Sequence, residues 1–492
     1  MYPSESIVIK PLKRTQPFSL PIKFIQFGEG NFLRAFIDWQ IDLLNERSDL
    51  NAGVVVVRPR GHTVKPLLDV QDGLFTVVIQ GLNEQGDAVK TYRTIRCVQR
   101  EINAVTMFDD FIALARNPDT RFVVSNTTEA GIVTNHTDAF FDAPPVAFPA
   151  KLTRLLFERY QYFSGASDKG WVVLPCELIE QNGPALKAAV LHFADMWNLG
   201  ADFTKWVSQS TTFCSTLVDR IVTGYPSDDS AAIEADLGYQ DQFLVAAEYY
   251  YVLVIEGPAW LANELKLAGA NLNIKLVDDI TPYKQSKVGI LNGGHTVLVP
   301  VALLAGLESV AQAVNDPDIG VFLRAALEQE IIPSLPLPRL EMEQFAVDVI
   351  RRFQNPFIHH RLVSIALTSW PKFAARVIPQ LLRYQQIHQE LPCHLVLALA
   401  ATFLLYRGDV IPLADDAATL KWFALAWSDV RHGHRSVADI VAAWLGNELL
   451  WGQDLNQIDG LAQAVTTHIT AIERDGIRAC LRQVKTIGKN NR

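Results

Sequence analysis

The sequence predicts an α/β chain in two parts: a first domain over residues 1–279, where apolar strands alternate with helices, and an all-α domain over residues 280–492. Three observations carry this. Near the N-terminus, Ile22-Lys-Phe-Ile-Gln-Phe-Gly28-Glu-Gly30 runs as strand and turn into a helix-patterned segment. Short apolar runs bounded by polar loops then recur at β-α-β spacing, ending at Leu272–Asp278. Beyond Asp279 the apolar positions follow helical periodicity almost throughout, in segments such as Val288–Val314, Met342–Arg352, Cys393–Arg407 and Asp454–Asp475. The length suits two or three domains, and no internal repeat or low-complexity linker interrupts them.

Taken in order, Phe24, Ile25 and Phe27 read as a buried strand, Gly28 and Gly30 as a sharp turn, and Asn31–Leu44 as a helix. This context suits a dinucleotide: small residues admit a pyrophosphate, and the helix N-terminus offers N–H groups and the positive end of its dipole. The expected phosphate-binding segment is therefore Ile25, Gln26, Phe27, Gly28, Glu29, Gly30, Asn31, Phe32, Leu33 and Arg34, with Leu33 where G-x-G-x-x-G would have its third glycine. The second strand, Gly53–Arg58, ends in Arg58-Pro-Arg60 where an NAD site usually has an acid for the ribose. By themselves these arginines favour the 2′-phosphate of NADP. A third strand, Arg121–Ser125, leads into Asn126-Thr-Thr128-Glu129-Ala-Gly131, and a fourth, Gly170–Cys176, into Glu177–Gly183. Polar loops at strand C-termini are where cofactors sit in open α/β sheets.

The second domain opens on Lys287-Val-Gly-Ile-Leu-Asn292-Gly-Gly-His295. Thr281 is the expected N-cap and Pro282 the first helical residue. At about 100° per residue, Lys287, His295 and Asn292 fall near ~0°, ~80° and ~140°, on one side of a helix. A base, an imidazole and an amide donor so placed suit proton removal from an alcohol with stabilisation of the developing oxyanion. Glycines within a helix cost about 1 kcal/mol each relative to alanine, which makes sense where something approaches the backbone closely.

The net charge of −9 argues against nucleic acid and anionic membrane surfaces. Five scattered cysteines without C-x-x-C suggest neither a disulfide framework nor a zinc site. His359-His360 and His432-Gly-His434 lack acidic partners at ligand spacing, so no metal is expected. Residues 1–21 are polar and proline-punctuated, unlike a signal peptide. The longest apolar runs, Thr296–Leu307 and Leu395–Tyr406, fall short of the roughly twenty residues a bilayer needs. A cytoplasmic location is the resulting expectation.

The chain resembles the long-chain polyol and mannitol dehydrogenase family. The resemblance rests on Lys287-x4-Asn292-x2-His295, Gly28-x-Gly30-Asn31-Phe32-x-Arg34, Asp72-Gly73, Thr128-Glu129-Ala-Gly131, Val218-Asp219-Arg220-Ile221 and Arg352-Phe-Gln-Asn355-Pro356. It implies a Rossmann-type N-terminal domain, a helical substrate domain and an active site in the cleft between them. It implies NAD as cofactor, against the bare arginine argument, with Arg58, Asn126, Thr128 and Glu129 beside the phosphate segment. Lys287 would be general base in oxidation and acid in reduction, Asn292 would hold the alkoxide, and His295 would orient the substrate. Segments 26–45 and 54–59 are closest to a branch acting on hexonates and keto-hexuronates, with an epimeric hexonate or a plain polyol as alternatives. Sugar-alcohol members carry Cys-Asp-Asn after the fourth strand; here Cys176-Glu177-Leu178 leaves the second oxyanion donor lost or moved to Asn182. Asp219 and His360 are further substrate-side candidates. A substrate carboxylate calls for a cation, expected at Arg352 beside the helix end that Pro356 imposes, with His359, His360, Arg361 and Lys372 as the other choices.

Overall fold

Val54 and Val56 pack into one apolar core while Val55 and Val57 pack into another, and a strand covered on both faces needs apolar residues at consecutive positions. The structure is a computed structural model that describes residues 10–59, 61, 67–127, 131–134 and 137–490. Its first compact unit comprises the chain to Gln80 and Val89–Ile280. The centre of that unit is a six-stranded parallel sheet of β1 (Ile22–Phe27), β2 (Gly53–Arg58), β3 (Val98–Asn103), β4 (Phe122–Ser125), β5 (Val172–Pro175) and β6 (Thr212–Phe213). The strands lie in the order β3-β2-β1-β4-β5-β6, with Phe24 opposite both Val54 and Phe122. This is the dinucleotide-binding order, whose direction reverses between β1 and β4, and ligands bind outside the strand C-termini at that reversal.

The third strand of the sheet is β3, not Arg121–Ser125 as the count of apolar runs predicts. Four of the six residues of β3 are polar, and its buried Glu101 is matched by Arg58 of β2 and by the Leu68 N–H. Two smaller sheets also escape the pattern. One contains the hairpin Phe75–Leu82 and Ala88–Ile95; the other joins Ser215–Asp219, Val252–Glu256 and Ile274–Val277, so the last expected strand lies outside the central sheet.

The second unit comprises Thr281–Arg492 with the hairpin tip Gly81–Ala88. Helix Cys393–Leu405 is buried from His394 to Leu405 and packs against Gly293–Leu304 and Leu461–Asp475. The expected helix Val288–Val314 breaks after Leu304, where Gly306 takes φ +78°. It restarts at Val310, with Ser309 and Gln312 forming a reciprocal capping box. Residues Thr281–Leu304 form one continuous 24-residue run that is long and apolar enough to cross a bilayer, unlike the short runs read from sequence. Its most apolar window is 72% buried within the fold, as a core helix would be.

Candidate active site

The Thr281–Leu304 run is not uniformly α-helical. Its central turn, Lys287–Asn292, is a π-helix between α-helical segments Thr281–Ser286 and Gly293–Leu304. A π-turn closes hydrogen bonds from residue i to i+5. It therefore brings Asn292 one turn above Lys287, closer in angle than uniform 100° spacing allows. The glycines have a different role from the one expected. A Cβ on Gly289 would stand 2.9 Å from the Gln380 amide nitrogen, and one on Gly293 would stand 3.2 Å from the Arg376 carbonyl. They admit the chain's own helices Ser369–Arg376 and Ile378–His388.

Lys287, Asn292 and His295 are each half-buried. The His295 ring stacks on Phe353, centroids 4.0 Å apart, and meets the His360 ring edge-on at 5.1 Å. Burial holds the His295 pKa well below the usual imidazole range, and the charges of His360, Arg352 and Arg376 push the same way. The ring is thus neutral at neutral pH, with one nitrogen donating and one accepting. Its Nε2 atom is buried and makes no hydrogen bond among the described residues. Such an atom suits a ligand hydroxyl.

Arg352 is buried in the last turn of Arg339–Phe353, which ends before Pro356 as its position requires. The Asn355 carboxamide oxygen accepts the Phe357 N–H at 3.0 Å and fixes the turn leading to His360. His359 and Arg361 are exposed. Lys372 is already engaged: its ammonium donates to the Ile365 carbonyl at 3.0 Å and to the Leu367 carbonyl. Sequence reasoning missed Arg376, although it lies one helical turn beyond Lys372 on the same face.

In the first unit, Gly28 takes φ +119°, donates its N–H to Val57 at 2.9 Å, and would place a Cβ 3.5 Å from the Asn126 carbonyl. The loops after β1 and β4 therefore meet. Gly30 is exposed with ordinary φ, and nothing lies within 4 Å of a Cβ built on it. Glu29 and Asn31 are also accessible, whereas the side chains of Ile25, Gln26, Phe27 and Leu33 are buried and Phe32 stacks on Phe36. Arg34 corrects its expected role. Its guanidinium is buried and donates to the Glu29 carbonyl at 3.1 Å, the Asn31 side chain at 2.6 Å and the Phe243 carbonyl at 2.5 Å, so it braces the loop.

Asn126 donates to the Cys176 carbonyl at 3.1 Å, and Thr127 donates through both N–H and hydroxyl to Glu177 at 3.0 Å. Thr128 and Glu129 lie outside the described residues. Arg58 meets Glu101 at 2.8 Å, with Glu29 at 3.9 Å. Its charge is already matched, which removes the reason to read it as a 2′-phosphate site. Asn182 is likewise no free oxyanion donor. Its amide donates to the carbonyls of Pro175, Glu177 and Thr216, its oxygen accepts from Gly183 and Thr216, and the side chain is buried. Asp219 is buried at the end of Ser215–Asp219.

One group of metal-ligand type occurs among the described residues: Glu330, Cys393 and His394, with ligand atoms within 4.8 Å of one another. The Glu330 carboxylate accepts the backbone N–H groups of His394 and Leu395, both at 2.9 Å, and so caps helix Cys393–Leu405.

A second π-turn, Arg34–Asp38, buries Asp38 completely behind the phosphate-type loop. Desolvation raises its pKa to about 8, only partly opposed by the Gln26 amide, which donates to it at 3.3 Å. A carboxyl raised on folding favours the native state fully below its unfolded pKa near ~4, and that advantage is lost as pH rises through the folded value. Asp38→Asn keeps the shape without the titration. The variant is expected to melt a few degrees above the wild type at pH 8 and at the same temperature at pH 4, by calorimetry. Equal melting temperatures at pH 8 would show that Asp38 is not a buried strained acid.

Residues 22–269 match the mannitol dehydrogenase Rossmann domain and residues 279–473 match the mannitol dehydrogenase C-terminal domain. The altronate oxidoreductase of Yersinia enterocolitica is 55% identical over 467 residues, 94% of this chain and 97% of that protein. Among solved structures, a D-sorbitol dehydrogenase in substrate-free form superposes with a TM-score of 0.75 at 21% identity, covering 94% of this chain and 96% of that one. A Pseudomonas fluorescens mannitol 2-dehydrogenase, in ternary complex with NAD and D-mannitol, gives 0.66 at 22% identity, covering 97% of each. Both halves of the chain are matched in one order, each to its own domain of a single enzyme class, and the chain belongs to the mannitol dehydrogenase family.

Proposed function

We propose that this chain interconverts D-altronate and D-tagaturonate with NAD(H), with Lys287 moving the alcohol proton and no metal in the reaction. The observation that carries the reaction type is the π-turn over Lys287–Asn292, which runs directly into the α-helix bearing His295, whose ring feels the charges of Arg352 and Arg376. Identity of 55% along nearly the whole chain to an altronate oxidoreductase supports the substrate. The cofactor, when bound, supplies the hydride acceptor or donor at its nicotinamide.

The rest is work for side chains. In oxidation the Lys287 amine takes the hydroxyl proton and in reduction returns it to the new alkoxide. The Asn292 amide donates to that oxygen as its negative charge grows. The His295 Nε2 atom bonds a neighbouring hydroxyl and fixes which carbon is presented. Arg352 and Arg376, whose charges reach His295, attract an anion and repel a metal cation, which supports both a sugar acid and metal independence. For NAD over NADP, the matched Arg58–Glu101 pair and nearby Glu29 leave Arg58 with no charge to spare for a 2′-phosphate.

The deciding assay follows absorbance of NADH with tagaturonate, fructuronate and fructose in parallel. Tagaturonate is expected to give the highest kcat/KM; a preference for either of the others replaces this reading with the epimeric or the polyol one. The cofactor site has its own test. Gly30→Val fits the unliganded fold, because φ at Gly30 is −64° and the space around a Cβ is open. It puts a branched side chain where a pyrophosphate must pass. NADH affinity, read by fluorescence titration, is expected to fall at least about tenfold with an unchanged melting temperature. Unchanged affinity would move the phosphate site elsewhere.

A further inference from the structure

The geometry points to Arg376 as the residue that receives the terminal carboxylate of the sugar-acid substrate and so sets acid against neutral sugar. This rests on the hexonate reading above and assigns it to a side chain that the sequence analysis does not single out.

Arg376 ends helix Ser369–Arg376, and its carbonyl lies against Gly293, between Asn292 and His295 in sequence. Its guanidinium is half-buried and makes no hydrogen bond or ion pair among the described residues. Burial alone lowers its pKa, with no carboxylate acting to raise it, and its charge is felt at His295. The groups around it are cationic or neutral. His295 and His360 share a ring contact at 5.1 Å, and Lys372, one turn earlier, has Asp415 as its own acidic neighbour. A guanidinium with five donors, partly removed from water and facing no protein acid, is complete only when an anion arrives. A carboxylate matches its fork with two parallel hydrogen bonds.

The competing cations are placed differently. Arg352 is buried and acts on Asp348, four residues earlier on its own helix. Lys372 is held by two carbonyls, and His359 and Arg361 are exposed. Arg376 alone among these combines partial burial, contact with the turn that carries Asn292, and an unmatched charge.

The test compares a keto-hexuronate, tagaturonate, with a neutral ketose of the same chain length, fructose, using NADH oxidation. Arg376→Ala is expected to lose at least about 30-fold in kcat/KM on tagaturonate, mostly in KM, the lower end for removing one partner of a desolvated charge pair. On fructose it is expected to lose less than about threefold, since no charge pair is involved. Added guanidinium ion is expected to restore part of the tagaturonate activity and none of the fructose activity, which a purely structural arginine would not show. Equal losses on both substrates, or no rescue, overturn the assignment. Should Arg376→Ala fail to fold, Arg376→Lys decides, since it keeps charge and stem: a KM rise on tagaturonate alone supports the clamp, and equal rises overturn it. The wild type separates the two levels of inference. If it shows no preference for the acid, the hexonate reading fails and the clamp fails with it. If its preference survives intact in Arg376→Ala, the clamp fails and the hexonate reading stands.

Discussion

Lys287→Ala is expected to lower turnover with altronate by about 10²- to 10⁴-fold, the usual worth of a positioned general acid–base. The alcohol proton must leave as the hydride departs, and water is a poor acceptor for it at neutral pH. Lys287 begins the π-turn that carries Asn292, so removing its amine takes away the proton acceptor and leaves the oxyanion donor. The substitution is mild for the fold, because the side chain is half-buried and alanine is the better helix former. NADH affinity and melting temperature should match the wild type within error. Primary amines such as methylamine should restore part of the turnover, with a pH dependence following the amine added. Turnover within about threefold of the wild type would remove Lys287 from the proton path.

The parts of this molecule that sequence reveals are those whose physics is local. Gly28 is legible because a turn at φ +119° admits little but glycine, and β2 is legible because burial on both faces forces four valines in a row. The Lys-Asn-His spacing is legible as chemistry, but the flat helical arithmetic misplaces Asn292, since nothing local announces that residues 287–292 wind as a π-turn. What stays hidden depends on partners distant in sequence. Strand β3 looks like a loop until Arg58 neutralises Glu101 across the sheet, and Arg58 looks like a phosphate ligand until the same pair is seen. Asn182 looks available until five backbone groups occupy it. Arg376 differs from its neighbouring cations in being half-buried against Gly293 with no partner among the described residues, and that combination belongs to the fold.

Asn292→Ala is expected to lower turnover by about 10²- to 10³-fold, the range for loss of one oxyanion donor. Substrate KM should change much less, because full negative charge sits on the oxygen only on the way to the transition state. The π-turn makes this separation testable. Asn292 closes the turn opened by Lys287, and its backbone carbonyl accepts the Thr296 hydroxyl at 2.9 Å. Alanine keeps that backbone bond and removes only the amide. Asn182 cannot stand in as the second donor, since its own amide is saturated, so no other carboxamide from the expected set remains to buffer the loss. Asn292→Asp is the sharper variant. A carboxylate beside a growing alkoxide repels it, so turnover should fall below that of the alanine form at pH 8 and recover toward it as pH drops and the new acid is protonated. Such a pH-dependent gap marks an electrostatic role at the reacting oxygen. A raised KM with turnover intact would make Asn292 a ground-state binding residue, and the alkoxide would then rely on Lys287 alone.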